Sequence, residues 1–505
     1  MSRRSSAAAE PVADDDDIGA RFARAMAAAG CVEPAPHLAV ALSGGPDSLG
    51  LTLLARDWAA ARGGRVLALV VDHGLRAGSA GDARRAAALA AAAGVPARIL
   101  TLAPGAIGMT GIEAGARAAR YAALTDACRA AGILHLLTGH SLDDQAETVL
   151  IRLGRGSGVD GLAAMPPVRP EGGIRLIRPV LGIRRASLAA VVAAAGLTPL
   201  HDPMNDDDRV QRVRLRAAAT AAALEGAGLD PARVVRSAAR AAAARAALDA
   251  QMLRVAFRGG LRLHVWGGAE LPLALFADPD LSAPGLEDDL PERLVGRLAM
   301  VVGGQDLPPR GAAAARLAAD LVAMARGRPG GDHLPQSGRG QGGRTLGGCR
   351  FLWGGRRLLV LREPRAIAAP RAVTPGEALH WDGRFMVIVP DTPACRAAAA
   401  DGRLRLQAMG EDLARRLGEV APVAAASLRA CVAPRAIASL PVLTRLDVPL
   451  AFPHLTESIR REAAEDETLA RSTFRAWFAP SRPLDGDGVF WAMAGEHSAG
   501  KRPRS

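Results

Sequence analysis

His37-Leu38-Ala39-Val40-Ala41-Leu42 runs straight into Ser43-Gly44-Gly45-Pro46-Asp47-Ser48, and the apolar run from Leu49 to Ala60 follows. A short apolar segment that breaks into a glycine loop and then an amphipathic run predicts strand, loop and helix in that order. Two adjacent glycines let the backbone turn sharply and bring its N–H groups against an anion. Ser48 is expected to cap the helix, whose dipole then aims its positive end at the same anion. The pattern predicts a pyrophosphate cradle. It is not a Walker A loop, which ends in Gly-Lys-Ser/Thr, because Lys501 is the only lysine in the chain.

Working outward, 505 residues are too many for one core and predict two or three domains. With 49% hydrophobic and 23% charged residues the chain reads as an ordinary globular protein. Its 63 basic against 51 acidic residues leave a net charge of +12. Almost all of that charge is arginine, which suits bidentate phosphate contacts and favours a polyanionic partner, nucleic acid ahead of membrane. Cys31, Cys128, Cys349, Cys395 and Cys431 stand far apart with no C-x-x-C pair. That spacing speaks against a zinc knuckle, an iron–sulfur cluster or a secreted disulfide framework, and for reduced thiols in a cytoplasmic protein. Arg3-Arg4 is followed by Ser/Ala and the acidic run Asp14–Asp17, not by an apolar segment, so no signal peptide is expected. No membrane span is expected either.

Strands at Leu38–Leu42, Val66–Val71, Ala97–Thr101 and Leu134–Thr138 alternate with helices at Leu49–Ala61, Arg84–Ala93, Glu113–Ala131 and Asp143–Leu153. Such alternation predicts an α/β domain with a doubly wound parallel sheet over 36–216. Ligands of such sheets sit at the carboxyl ends of the strands, where the cradle, Asp72-His73 and Gly139-His140 fall. Residues 1–35 read as a flexible tail and 217–330 as a mostly helical, arginine-rich module. Residues 331–348 read as a glycine-rich linker, and 349–505 as a small α+β C-terminal domain.

Ser43-Gly44-Gly45-Pro46-Asp47-Ser48 resembles the PP-loop of ATP pyrophosphatases, which split ATP between its α and β phosphates. Further segments sharpen the match: Val70-Val71-Asp72-His73-Gly74-Leu75-Arg76, Glu113–Tyr121 with Arg117 and Arg120, and Thr138-Gly139-His140-Ser141-Leu142-Asp143-Asp144-Gln145-Ala146-Glu147-Thr148. Asp202-Pro203-Met204-Asn205 and Arg212-Val213-Arg214-Leu215-Arg216 come later. In this order and spacing, residues 38–216 closely resemble the tRNA(Ile)-lysidine synthase family. A looser match continues at Arg344–Cys349 and in the C-terminal domain. The resemblance implies a ligase that uses ATP, with Mg²⁺, to adenylate C2 of the wobble cytidine of a tRNA(Ile) with a CAU anticodon. Free L-lysine then attacks to give lysidine, AMP and pyrophosphate.

Under that resemblance, Ser43, Gly44, Gly45, Pro46 and Ser48 face the phosphates, and Asp47 takes Mg²⁺ or its water shell. Asp72 serves the adenosine or the metal, or simply caps its loop. Asp144 and Glu147, three apart on one helix face, suit a lysine ammonium and the proton it must lose. His140 falls where sheet ligands bind, and Arg117 suits the α-phosphate or the polarised base. Asp143 belongs to the same cluster around the helix start, or simply serves as the N-cap of that helix. Ser141 departs from the histidine or apolar residue often found in the family. Arg212, Arg214 and Arg216 read as tRNA backbone contacts, and the helical and C-terminal modules as further tRNA-binding parts. Three competitors stand beside this reading. A 2-thiolase would call for paired cysteines, a small-molecule ligase would not need the +12 charge, and a non-catalytic RNA-binding protein would not need an intact loop. The sequence leaves the oligomeric state open, a homodimer included.

Overall fold

Leu38 and Val40 point to one face of a six-stranded sheet and Ala39 and Ala41 to the other, and all four are buried. The computed structural model describes residues 17–74, 78–102, 112–200, 230–281, 289–309, 311–327, 341–420, 422–445, 448–451, 475–481 and 484. The chain divides into two compact units, Met1–Ala247 and Leu248–Ser505.

The first unit runs α1 (Ile18–Ala28), β1 (His37–Ala41), α2 (Pro46–Ala60), β2 (Arg65–Asp72), α3 (Ser79–Ala92), β3 (Ala97–Thr101) and α4 (Ile112–Ala130). It continues with β4 (His135–Thr138), α5 (Leu142–Gly154), α6 (Val159–Leu162), β5 (Val168–Glu171), β6 (Ile174–Ile177) and α7 (Arg185–Ala194). The strand order is β3-β2-β1-β4-β6-β5, and every neighbouring pair is parallel except β5–β6. Leu38, Val40, Val66 and Val70 pack with residues of α1, α2, α3 and α7 on one face. On the other, Ala39, Leu69, Leu136 and Leu176 pack with Leu124 and Cys128 of α4. A sheet buried on both faces explains why its strands read as continuous apolar runs. The doubly wound α/β expectation holds.

Two features of this unit differ from the sequence reading. The proposed tail over 1–35 is corrected at α1, which buries Phe22 and Met26 and is capped by Asp17. Phe22 meets Trp58 of α2 edge-on at 6.4 Å between ring centroids. The two apolar residues four apart share one helix face, a signal diluted by the surrounding alanines. The β5–β6 hairpin was also not foreseen. It turns at Gly172 and Gly173, both at positive φ, the Gly-Gly form that suits a tight two-residue connection.

The boundary between units falls inside α8 (Pro231–Arg258). In the second unit, β7 (Arg262–Leu263), β8 (Ala269–Pro272), α9 (Asp289–Gly303) and α10 (Ala312–Ala325) precede β9 (Gln341–Leu346), β10 (Cys349–Gly354) and β11 (Arg357–Arg362). These strands form one antiparallel sheet in the order β7-β8-β11-β10-β9, with Leu294, Leu298, Phe351 and Val360 in its core. Smaller antiparallel sheets follow between residues 371 and 478. Gln341–Leu346 is thus a strand where the sequence reads as linker, while residues 331–340 lie outside the described ones. Strand pairing between 269–272 and 357–360 also crosses the expected boundary at 331–348. The two-glycine turn Gly347-Gly348, at φ +57 and +71, joins β9 to β10, so glycine richness there marks a hairpin. Among the described residues no helix is long and apolar enough to cross a membrane.

Candidate active site

The strand order itself locates the cleft. After β1 the chain builds β2 and β3 on one side and then returns to add β4 on the other. The carboxyl ends of β1 and β4 therefore flank the point where the winding reverses, the crevice in which open parallel sheets bind ligands. Ala41 and Thr138 are register partners, so the loops beginning at Leu42 and Gly139 emerge side by side. A Cβ on Gly139 would lie 3.0 Å from the Ser48 Cα and backbone nitrogen. Only glycine allows the two loops to touch this closely.

The loop after β1 is held from within. Gly44 adopts φ +87, and its carbonyl accepts from the Leu200 N–H at 2.8 Å. The Ser43 N–H donates to Ser48 Oγ at 3.2 Å, the two serine hydroxyls lie 3.1 Å apart, and Ser48 Oγ donates to the Gly45 carbonyl at 3.1 Å. Ser48 is not the N-cap expected from the sequence. Gly45 is, because Pro46 takes the first helical position with its φ already set. Gly45 brings no capping side chain, so α2 presents its first-turn N–H groups and the positive end of its dipole to the cleft. Asp47 stands in that first turn.

On the other side of the crevice the N-cap of α5 is Ser141 rather than Asp143. Its N–H donates to Asp144 Oδ2 at 2.8 Å while the Asp144 N–H donates to Ser141 Oγ at 3.4 Å, a capping box with aspartate at the third position. Ser141 is fully buried; its departure from the family pattern thus has a structural role. Asp143 instead accepts the Arg185 N–H at 2.7 Å. Asp144 and the buried Glu147 face the cleft from one side of α5, as their spacing predicts.

Three carboxylates from two elements meet one guanidinium. Arg185 Nε donates to Asp47 Oδ2 at 2.9 Å, its Nη2 to Asp144 Oδ1 at 2.9 Å, and its Nη1 lies 3.9 Å from Glu147 Oε1. Burial raises the Asp47 carboxyl above the ordinary aspartate range, with Arg185 opposing. Burial acts likewise on Asp144, but Arg185 and the Ser141 N–H outweigh it and hold that group below the range. Arg185 was not foreseen, though it was open to detection: Arg184-Arg185 starts a helix, where the dipole disfavours cations unless they have partners.

Beside the carboxylates stands a basic group of residues. Burial, with Arg178, Arg117 and Arg120 nearby and Asp144 opposing, pushes His140 down to about 3, so its ring is neutral near pH 7. Its Nδ1 pairs with Thr138 Oγ1 at 3.0 Å. Arg117 lies over the Tyr121 ring at 5.0 Å and Arg169 lies 5.4 Å from the same ring. Arg178, a further residue not foreseen, is 3% exposed and bonds the Pro166 carbonyl. Asp72 sits at the end of β2, where its Oδ1 accepts from Ser79 Oγ at 2.6 Å and the Gly74 N–H at 3.1 Å. These bonds hold its carboxyl below the usual range and match the loop-capping alternative. The structure therefore brings Asp47, Asp144 and Glu147 together, with Arg117 and His140 in the basic group beside them. Leu75-Arg76, Asp202–Asn205 and Arg212, Arg214 and Arg216 lie outside the described residues.

Asp47 Oδ1 is buried with no hydrogen-bond partner among the described residues. An open carboxylate oxygen beside an anion cradle fits Mg²⁺, which takes one or two carboxylates together with phosphate oxygens. Among the described residues no group of three or more His, Cys, Asp or Glu is arranged to hold a metal by itself.

Residues 17–222 match the PP-loop domain family. A tRNA(Ile)-lysidine synthase of Bradyrhizobium diazoefficiens is 46% identical over 219 residues, which cover 43% of this chain and 60% of that protein. One from Ruegeria pomeroyi is 35% identical over 74% of this chain and 80% of its own length. One from Methylobacterium sp. strain 4-46 is 40% identical over 72% of this chain and 99% of its own length. With a PP-loop at the switch point and relatives matched over most of their length, the chain belongs to the tRNA(Ile)-lysidine synthase family.

Proposed function

We propose that this chain is a carbon–nitrogen ligase that makes lysidine at the wobble cytidine of a tRNA(Ile) with a CAU anticodon, so that the tRNA reads AUA instead of AUG. One observation carries the reading: Asp47 of the phosphate-facing loop meets Asp144 and Glu147 of α5 around the Arg185 guanidinium. The first belongs to nucleotide activation, and the pair suits a nucleophile that arrives positively charged.

In the first step the cytidine C2 oxygen attacks the α-phosphorus of ATP and pyrophosphate leaves. Ser43, Gly44, Gly45, Pro46 and Ser48 bind the phosphates at the α2 N-terminus, and Asp72 braces the loop that follows β2. Asp47 would hold Mg²⁺, which when bound neutralises charge on the departing pyrophosphate. Arg117 faces the charge at the α-phosphate. In the second step Asp144 and Glu147 bind the lysine ammonium, and one of them takes its proton. Lysine Nζ then bonds to C2 while the C2–O bond breaks, and AMP leaves with the electron pair. A neutral His140 adds no repulsion against the incoming ammonium. Arg212, Arg214 and Arg216 contact the tRNA backbone, and the reaction takes place in the cytoplasm. A thiolase reading finds no support in Cys128, whose thiol is buried and pushed up to about 12, away from the thiolate form that sulfur transfer needs.

The test is pyrophosphate release from ATP with CAU-anticodon tRNA(Ile), with and without lysine, followed by nucleoside analysis. Lysine found on the wobble cytidine is the expected result. ATP turnover indifferent to lysine would move the chain to another adenylating activity.

A further inference from the structure

Arg185 is placed with more care than a charge-balancing surface arginine needs. Its N–H is bonded to Asp143 of α5, while its side chain reaches Asp47 of α2 and Asp144 and Glu147 of α5. A second glycine makes that reach possible. Gly50, in the interior of α2, packs so closely on α7 that a Cβ there would lie 2.9 Å from the Leu188 carbonyl oxygen. Glycine inside a helix is disfavoured against alanine. Here it brings the start of α7, against the dipole preference, up to the carboxylates.

We propose that Arg185 is a positioning residue that sets the nucleotide half and the amine half of the cleft with one shared guanidinium. The proposal rests on the lysidine reading and deepens it. Without this guanidinium, three carboxylates this close repel one another, and Asp47 would draw away from the place where it meets the nucleotide's counter-ion. Asp144 and Glu147, no longer fixed by a planar fork, would present the amine with a loose target. A lysine at this position, a single point charge, could not serve both walls with parallel bonds. The guanidinium side chain is one-third exposed, so a small cation from solvent has access to the same place.

The experiment compares Arg185→Gly, Arg185→Gln and Arg185→Lys with the native protein. It measures the binding of ATP with Mg²⁺ and of lysine, each by calorimetry, and the steady-state kcat and KM. Loss of both halves at once is expected in Arg185→Gly, with kcat down about 100-fold, the scale of a misplaced catalytic geometry, and both ligands weakened. Millimolar methylguanidinium should restore at least a tenth of the lost rate, which no general folding defect would allow. Arg185→Lys should recover one ligand's affinity better than the other's. Unchanged affinities with kcat within about threefold of native would overturn the proposal. So would tighter lysine binding with methylguanidinium acting as an inhibitor, since Arg185 would then be a competitor of the amine. If the glycine variant does not fold, Arg185→Gln carries the same affinity comparison. Native protein that turns over ATP without lysine would sink the lysidine reading, while ATP calorimetry still decides whether Arg185 supports Asp47.

Discussion

Asp47 combines a buried Oδ1 that has no hydrogen-bond partner among the described residues with an Oδ2 held by Arg185, so its two oxygens have different tasks. Asp47→Asn and Glu147→Gln keep shape and remove charge; each should lower lysidine formation by at least about 100-fold. Circular dichroism should show an unchanged fold, and near-native activity in either folded variant would contradict the assigned roles. His140 allows a test of the basic group. Its folded value of about 3 lies below the ordinary 6.5, so below pH 6.5 the unfolded chain binds a proton that the folded one does not. Stability attributable to this group therefore falls as pH drops from about 6.5 towards 3. Between pH 7.5 and 5, His140→Gln should lose about 1 kcal/mol less than the native protein in urea unfolding, allowing for solvent screening of a half-buried ring. Equal losses would show that the ring is not held neutral. Asp47, His140, Asp144 and Glu147 were legible because each lies in a short motif with local spacing. Arg178 was not, and Arg185 left only the signal of a cation at a helix start, since the partners of both are distant in sequence and the chain is rich in arginine.

At the scale of elements, α1 shows how composition can hide packing. Phe22 and Met26 are its only large buried side chains, and they close one face of the sheet's core with α2. Phe22→Ala should destabilise the first unit by about 3 kcal/mol, the cost of deleting a buried aromatic ring. A tail residue would cost less than about 0.5 kcal/mol. Thermal unfolding separates the two. The helix caps carry the same lesson. The start of α2 moved from Ser48 to Gly45 and that of α5 from Asp143 to Ser141, because Pro46 and the Ser141–Asp144 pair settled the first turns. The Ser48 hydroxyl, freed from capping, ties the loop to itself, and Asp143 is left to receive α7. Each displaced cap thereby became part of the site's support.

Over the whole molecule, a net charge of +12 carried by arginine predicts tRNA binding that depends steeply on salt. If about six phosphates are contacted, affinity should fall by about 1,000-fold between 50 and 200 mM salt. Replacing Arg212, Arg214 and Arg216 together with glutamine should reduce the slope by about three, one unit for each lost contact. Filter binding across a salt series measures both, and a flat profile would contradict the phosphate-contact reading. The division of the second unit was the least legible part. Its sheet joins strands either side of a glycine-rich stretch, and nothing local distinguishes a glycine hairpin from a linker. The sequence by itself determined the alternating strand and helix pattern, the anion-binding loop and the carboxylate pair, because hydrophobic periodicity, glycine geometry and i,i+3 spacing all act within a few residues. Only the tertiary structure decided that β4 lies beside β1, that Gly139 touches Ser48 and that Gly50 admits α7. These are close approaches between segments far apart in the chain, and they depend on the strand order and packed volumes of the assembled core.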